Sequence, residues 1–195
     1  MFTGIVSGTG TVRSLRGASL VVDSASDLAL ALGSSVAVNG VCLTVSALPA
    51  GGFEVDLVPE TRRRTNLDRL DRGSRVNLEL PLRLEQGLDG HLVQGHVDAV
   101  VRILNLRPTD PGREVEFELP PGLRRLVCEK GSVALDGMSL TVTAVDDVRS
   151  SFSVALIPHT LDLTVAGAYE LGTRVNLEVD VVARYLARLL GHQDT

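Results

Sequence analysis

Apolar and polar residues alternate along most of the chain. Runs such as Arg75-Val76-Asn77-Leu78-Glu79-Leu80 and Glu114-Val115-Glu116-Phe117-Glu118-Leu119 send every second side chain to one face, which is the period of a half-buried β-strand. The runs are short and are separated by turn signals, among them Asn39-Gly40, Gly51-Gly52 and Asp136-Gly137. Asn-Gly and Asp-Gly supply the left-handed backbone that a two-residue hairpin turn needs. Helical spacing is rarer. Residues 59–70 and 120–128 could each hold a short helix, and residues 180–190 carry Val181, Val182, Tyr185, Leu186, Leu189 and Leu190 on one stripe.

The strand pattern occurs twice. Val36-Ala37-Val38-Asn39-Gly40-Val41-Cys42-Leu43-Thr44-Val45 aligns with Val133-Ala134-Leu135-Asp136-Gly137-Met138-Ser139-Leu140-Thr141-Val142, with six of ten positions identical. Gly73-Ser74-Arg75-Val76-Asn77-Leu78-Glu79-Leu80 recurs as Gly172-Thr173-Arg174-Val175-Asn176-Leu177-Glu178-Val179. Two units of roughly one hundred residues follow. Six short strands per unit suit a small antiparallel barrel, because closure hides the sheet edges. The expected fold is therefore all-β: two tandem six-stranded antiparallel β-barrels plus a C-terminal α-helix. The first barrel is assigned to residues 1–86, the second to 87–180, and the helix and tail to 181–195. That helix lies outside both repeats, so its apolar stripe packs either on its own barrel or on other copies of the chain.

Composition narrows the function classes. With 195 residues, 44% of them hydrophobic, the chain can bury one large core or two small ones. A net charge of −5, 3% aromatic residues and no Trp argue against a nucleic-acid partner. Cys42 and Cys128 are the only cysteines, too few for a disulfide framework or a structural zinc site. The first residues lack the basic and apolar regions of a secretion signal, and no apolar stretch approaches a membrane span. These features point to a cytoplasmic protein with no membrane or metal partner.

A duplicated small barrel suggests two ligand sites of similar shape. Between the aligned copies Gly4 matches Gly95 and Thr44 matches Thr141, whereas Cys42 faces Ser139, Asn39 faces Asp136, Ile5 faces His96, Glu60 faces His159 and Pro81 faces Asp180. The differences collect ionisable groups in the second copy. His96, Ser139 and Asp180 are ingredients for proton transfer if the fold brings them together or opposes them across an interface. Plain structural roles compete with this: Cys42 as core filler, Ser139 and Thr141 as ordinary strand residues, Asp180 as the N-cap of the last helix. Lys130 reads equally as a solvated turn residue, and Arg62-Arg63-Arg64 as a solvated face. His91 and His96, five residues apart, do not share a strand face, so a joint metal site is not expected.

The motifs Met1-Phe2-Thr3-Gly4-Ile5-Val6, Asn39-Gly40-Val41-Cys42-Leu43-Thr44-Val45, Gly90-His91-Leu92-Val93-Gln94-Gly95-His96-Val97-Asp98, Lys130-Gly131-Ser132, Asp136-Gly137-Met138-Ser139-Leu140-Thr141-Val142, Ile157-Pro158-His159-Thr160 and Val175-Asn176-Leu177-Glu178-Val179-Asp180 resemble, in order and spacing, the riboflavin synthase family of the α-chain type. Glu60-Thr61 with Thr65-Asn66-Leu67 belongs to the same pattern. Asp89 departs from it, standing where a glycine is common.

The resemblance implies that each barrel binds one 6,7-dimethyl-8-ribityllumazine. One lumazine gives a four-carbon unit to the other, yielding riboflavin and 5-amino-6-ribitylaminouracil without cofactor or metal. By resemblance, substrate contacts come from Gly4, Ile5 and Val6, from Cys42, Leu43 and Thr44, and from Val58, Pro59, Glu60 and Thr61. The second set comprises Gly95, His96 and Val97, Lys130, Ser139, Leu140 and Thr141, and Ile157, Pro158, His159 and Thr160. Ser139 and Asp180, Ser35 and Cys42, and His96 with Thr141 are the implied candidates for proton transfer and nucleophile delivery. The resemblance further implies a homotrimer held by the C-terminal helix, with the productive site between the first barrel of one subunit and the second of its neighbour. A lumazine synthase shell is a further partner it brings in. The rival reading is a non-catalytic lumazine- or flavin-binding antenna protein on the same duplicated barrel.

Overall fold

The computed structural model describes residues 1–24 and 28–191. The first repeat forms β1 (Gly8–Arg16), β2 (Ser19–Ser24), β3 (Ser35–Val38), β4 (Val41–Ala47), β5 (Gly52–Asp56) and β6 (Arg75–Glu79), closed in the order β1-β2-β5-β4-β3-β6. The second repeat forms β7 (Ala99–Pro108), β8 (Arg113–Glu118), β9 (Ser132–Leu135), β10 (Met138–Asp146), β11 (Ser151–Leu156) and β12 (Arg174–Val179), closed as β7-β8-β11-β10-β9-β12. The expected pair of six-stranded antiparallel barrels is the fold observed. Register shifts fall at Val12/Ser14 and Val45/Ala47 in the first barrel and at Ile103/Asn105 and Val142/Ala144 in the second. Such irregularities increase local twist and bend, which lets so few strands close.

Residues 59–70 do not form one helix. They break at Thr65 into α1 (Pro59–Arg64) and a 3-10 turn over Asn66–Arg69, because Thr65 is extended and its hydroxyl accepts the Leu67 N–H. The second repeat builds the same pair, α2 (Pro158–Leu163) and a 3-10 turn over Val165–Ala168, around Thr164. Within residues 120–128 only a 3-10 turn forms, over Pro121–Leu126. The last helix, α3 (Val181–Leu189), is capped by Asp180, whose Oδ1 accepts the Val182 N–H at 2.9 Å. Its stripe is open: Val181 is buried, but Tyr185 is 63% and Leu189 82% exposed, with Val182, Leu186 and Leu190 also exposed. No helix among the described residues is long and apolar enough to cross a membrane.

Each barrel has its own core. Phe53, Leu20, Val22, Val36, Val55 and Val76 fill the first, while Phe117 and Phe152 stack at 5.5 Å in the second among Val115, Val133, Val154 and Val175. A third, smaller cluster of Phe2, Ala37, Val93 and Ala134, with Cys42 against it, lies where the barrels meet.

The junction is nearly symmetric. Asn39-Gly40 and Asp136-Gly137 both adopt positive φ, as a type I′ hairpin turn requires. The two turns also touch: a Cβ on Gly40 would lie 2.5 Å from the Gly137 nitrogen. Around them Asn77 Nδ2 donates to the Asp136 carbonyl at 2.9 Å, and Asn176 Nδ2 donates to the Asn39 carbonyl at 2.8 Å. Asn77 Oδ1 then accepts the Val165 N–H and Asn176 Oδ1 the Asn66 N–H. The Asn repeated in Val76-Asn77-Leu78-Glu79 and Val175-Asn176-Leu177-Glu178 thus pins each barrel to the other.

Candidate functional site

Both repeats begin with an extended segment that leaves its own barrel. Phe2 and Val93 pair antiparallel, Phe2 N–H to Val93 O at 2.7 Å and Val93 N–H to Phe2 O at 3.1 Å. Beyond that pair the segments cross. The Gly4 carbonyl accepts the Ser139 N–H at 2.7 Å on the second barrel, and the Gly95 carbonyl accepts the Cys42 N–H at 3.0 Å on the first. Val6 packs on the second core and Val97 on the first. The contact tolerates no side chain, since a Cβ on Gly4 would stand 2.6 Å from Ser139 Cβ, and one on Gly95 2.5 Å from Cys42 Cβ.

The crossing redistributes the residues singled out from sequence. On the first barrel Cys42, Leu43 and Thr44 of β4 face Gly95, His96 and Val97, and Ser35 of β3 pairs with Thr44. On the second barrel Ser139, Leu140 and Thr141 of β10 face Gly4, Ile5 and Val6, and Ser132 pairs with Thr141. His96 is therefore docked on the first barrel, beside Cys42, while Ser139 lies on the second. The grouping of His96, Ser139 and Asp180 by repeat is divided by the fold. Ile5, Thr44, His96 and Thr141 are exposed. α1 follows the strand beside β4 and α2 the strand beside β10, which carries Val58, Pro59 and Glu60, and Ile157, Pro158 and His159, to equivalent exposed positions. Thr61 and Thr160 are half-buried, and their carbonyls accept the Thr65 and Thr164 hydroxyls.

Two carboxylates hold the crossed segments. Glu79 accepts the Thr3 N–H at 2.7 Å, the Thr3 hydroxyl at 2.8 Å and the Gly4 N–H at 3.1 Å. Glu178 accepts the N–H groups of Gln94, Gly95 and His96 at 2.7, 2.9 and 3.0 Å. Burial raises both carboxyls from their ordinary range, and the backbone donors pull the other way. Sequence reading missed this role, although its signal was present: a Glu repeated at the same place in both copies, within a strand whose remaining pattern is buried.

Four features distinguish the halves. Lys130 is exposed with φ +66°, at the position the first barrel gives to Gly33 with φ +79°. A non-glycine residue pays about 1–2 kcal/mol for that conformation. Ser139 Oγ lies 2.7 Å from Nδ1 of His91. Glu60 binds Arg63 and Arg64, and those hydrogen bonds hold its carboxyl below the usual range. Asp136 is fully buried, accepting from Asn176 N–H, Asn66 Nδ2 and the Tyr169 hydroxyl at 2.9, 3.0 and 2.9 Å. Its removal from water pushes the carboxyl up to about 7 despite those donors.

Neither of two cavities on the surface is lined by Cys42 or Ser139. One of about 650 Å³ lies between α1 and the second barrel, lined by Leu57, Pro59, Arg62, Arg69 and Arg174. Another of about 360 Å³ runs along Ile5, Val6, Glu79 and Pro81. Cys42 and Ser139 are each half-buried, with the exposed Thr44 and Thr141 two residues further along the same strands.

Comparison with known proteins agrees with this architecture. The lumazine binding domain matches twice, over residues 3–81 and 94–180. A riboflavin synthase of Mycobacterium tuberculosis is 46% identical, the match covering 97% of this chain and 98% of that one. Those of Brucella abortus, 42% identical over 99% and 100%, and Bacillus subtilis, 36% over 97% and 90%, are similar along their length too. Among solved structures, LumP in complex with 6,7-dimethyl-8-(1′-D-ribityl) lumazine superposes with a TM-score of 0.81 at 22% identity, covering 92% of this chain and 99% of that one. The LumP complex with riboflavin gives 0.83 over the same shares. The duplicated domain, matched in both barrels, and the relatives aligned from end to end make this chain a member of the riboflavin synthase family, built on a tandem lumazine-binding domain.

Proposed function

We propose that the protein catalyses the riboflavin synthase reaction. Two molecules of 6,7-dimethyl-8-ribityllumazine enter, a four-carbon unit passes from one to the other, and riboflavin and 5-amino-6-(D-ribitylamino)uracil leave. The observation that carries this is the pair of half-sites of one design, each made of a strand from one repeat and the crossed segment of the other. Two identical substrates call for two similar surfaces. Donor and acceptor roles call for a difference between them, and Cys42 with His96 on one and Ser139 with Lys130 on the other supply it.

The lumazine provides much of the reactivity, since its 7-methyl carbanion is delocalised into an electron-poor ring. The protein's part is to orient two rings and move protons. Ser139 and Asp180 serve the second half-site, Ser35, Cys42 and His96 the first, and Thr141 lines the surface beside Ser139. Asp180 can cap α3 through Oδ1 and still act, because the cap uses one carboxylate oxygen.

Half-sites exposed at Thr44 and Thr141 and the exposed stripe on α3 support a homotrimer in which the first barrel of one subunit faces the second of its neighbour. The proposal places the enzyme in the cytoplasm and does not require a shell of lumazine synthase. Antenna proteins offer the same fold, but the end-to-end relatives at 36–46% identity are named as synthases. Incubation of the protein with the lumazine tests the reading. Riboflavin and the diaminouracil in equal amounts are expected; ligand binding without product would make it a carrier.

A further inference from the structure

We infer that His91 is a positioning residue for the reaction: its Nδ1 takes up the Ser139 hydroxyl and thereby aims Ser139 Oγ at the ligand in the second half-site. The inference rests on the proposed activity and on Ser139 taking part in it. Three observations support it. The Nδ1 to Oγ distance is 2.7 Å, that of a fully formed hydrogen bond from a hydroxyl. The imidazole is only 8% exposed, and its Nε2 has no hydrogen-bond partner among the described residues, so the contact to Ser139 is the ring's one hydrogen bond within the described residues.

The backbone is also shaped for this contact. The His91 N–H donates to the Thr3 carbonyl at 3.1 Å. A Cβ on Gly90 would lie 2.1 Å from that carbonyl oxygen and 3.0 Å from Ser139 Oγ, so only glycine lets the segment come close enough to set the ring on the serine.

The chemistry is that of a base and its hydroxyl. Burial lowers the His91 pKa from its ordinary value, and the nearby Asp180 charge opposes that effect only in part. A neutral ring offers the Nδ1 lone pair to the Ser139 O–H, which leaves the Oγ lone pairs to face the site. The Asp180 carboxylate is near enough to act on the ring's charge but makes no hydrogen bond to it, so the contact that matters is the one between imidazole and serine. His91 does not reach the ligand surface. It acts through Ser139.

The test uses full-length protein, steady-state conversion of the lumazine, and thermal melting to verify folding. His91→Gln cannot place an amide at the Nδ1 position, whereas His91→Asn can. We expect His91→Gln to lower kcat by about 100-fold, the scale of a misplaced reacting group, with KM nearly unchanged. His91→Asn should remain within about threefold of the parent, because its amide can still hold the hydroxyl. In a Ser139→Ala background, His91→Gln should cause no further loss. Unchanged kcat for His91→Gln, equal losses in Gln and Asn variants, or a full additional loss in the Ser139→Ala background would each overturn the inference. Full activity of Ser139→Ala would overturn it through its target. Parent protein that yields no riboflavin would overturn the proposed activity as well, and so tells the two failures apart.

Discussion

Replacing Asp136 by Asn should stabilise the protein at neutral pH and do so less as the pH falls. Asp136 is 2% exposed at the barrel junction, and the first barrel uses Asn39 at the same place with the same bond, Asn77 N–H to Asn39 Oδ1 at 2.7 Å. Burial raises the Asp136 carboxyl from 3.8 to about 7. A carboxyl raised on folding binds more protons in the native than in the unfolded chain between those values. Its favourable contribution is complete below the unfolded value and is lost as pH rises through the folded one, at about 1.4 kcal/mol per pH unit.

Between pH 5 and 7 the parent should therefore lose about 2 kcal/mol relative to Asp136→Asn, and little more above 7. Glu79 and Glu178, also raised by burial, are present in both proteins and cancel in the difference. The Asn side chain can keep the geometry, with Oδ1 accepting from Asn176 and Asn66 and Nδ2 donating to the Tyr169 oxygen. Urea denaturation of both proteins at pH 5, 6, 7 and 8, at one protein concentration and ionic strength, measures the gap. A gap that stays constant with pH, or a variant less stable at pH 8, would show that the three donors outweigh burial and that Asp136 is comfortably ionised.

Three further outcomes are expected. Cys42→Ser should keep more turnover than Cys42→Ala, because it preserves a polar group where the second barrel has Ser139. The reverse order, with Ser the less stable, would make Cys42 filler of the Phe2 and Val93 cluster. Deleting residues 181–195 while keeping Asp180 should leave folded barrels by circular dichroism but abolish the trimer in sedimentation and most turnover; an active trimer would refute the α3 assignment. Gly40→Ala should cost at least about 3 kcal/mol in urea unfolding, since it forces a Cβ to 2.5 Å from the Gly137 nitrogen and a side chain onto positive φ; a loss below about 1 kcal/mol would mean that the turns separate easily.

Much of the candidate site was legible in the chain, for a local reason. Strand period, Asn-Gly turns and the duplicated motifs are set by residues within a few positions of one another, so they announced two barrels and marked Cys42, Ser139 and their neighbours. The apolar stripe after Asp180 announced α3. The short helix expected within residues 59–70 forms over Pro59–Arg64 and stops there, because the Thr65 hydroxyl satisfies a backbone N–H and restarts the turn, and spacing of apolar residues does not register such a bond. Lys130 is exposed in a turn, in keeping with a solvated turn residue, and its left-handed backbone is visible only in the folded chain.

The number of barrels, their strands, the turn chemistry and the family can be read along the chain. Which barrel each opening segment serves depends on the packing of the folded molecule. An extended segment at Gly4 or Gly95 has the same local pattern whether it lies on its own barrel or on the other. The choice is made by contacts distant in the chain: the glycines Gly4 and Gly95 admit the Ser139 and Cys42 backbones of the other barrel, while buried Glu79 and Glu178 anchor each segment's N–H groups to its own. That choice puts His96 beside Cys42 and His91 on Ser139, and it buries Asp136 between the repeats. Side-chain chemistry was written in the chain, but its partners were assigned by packing and by the cost of leaving a polar group unpaired in the interior.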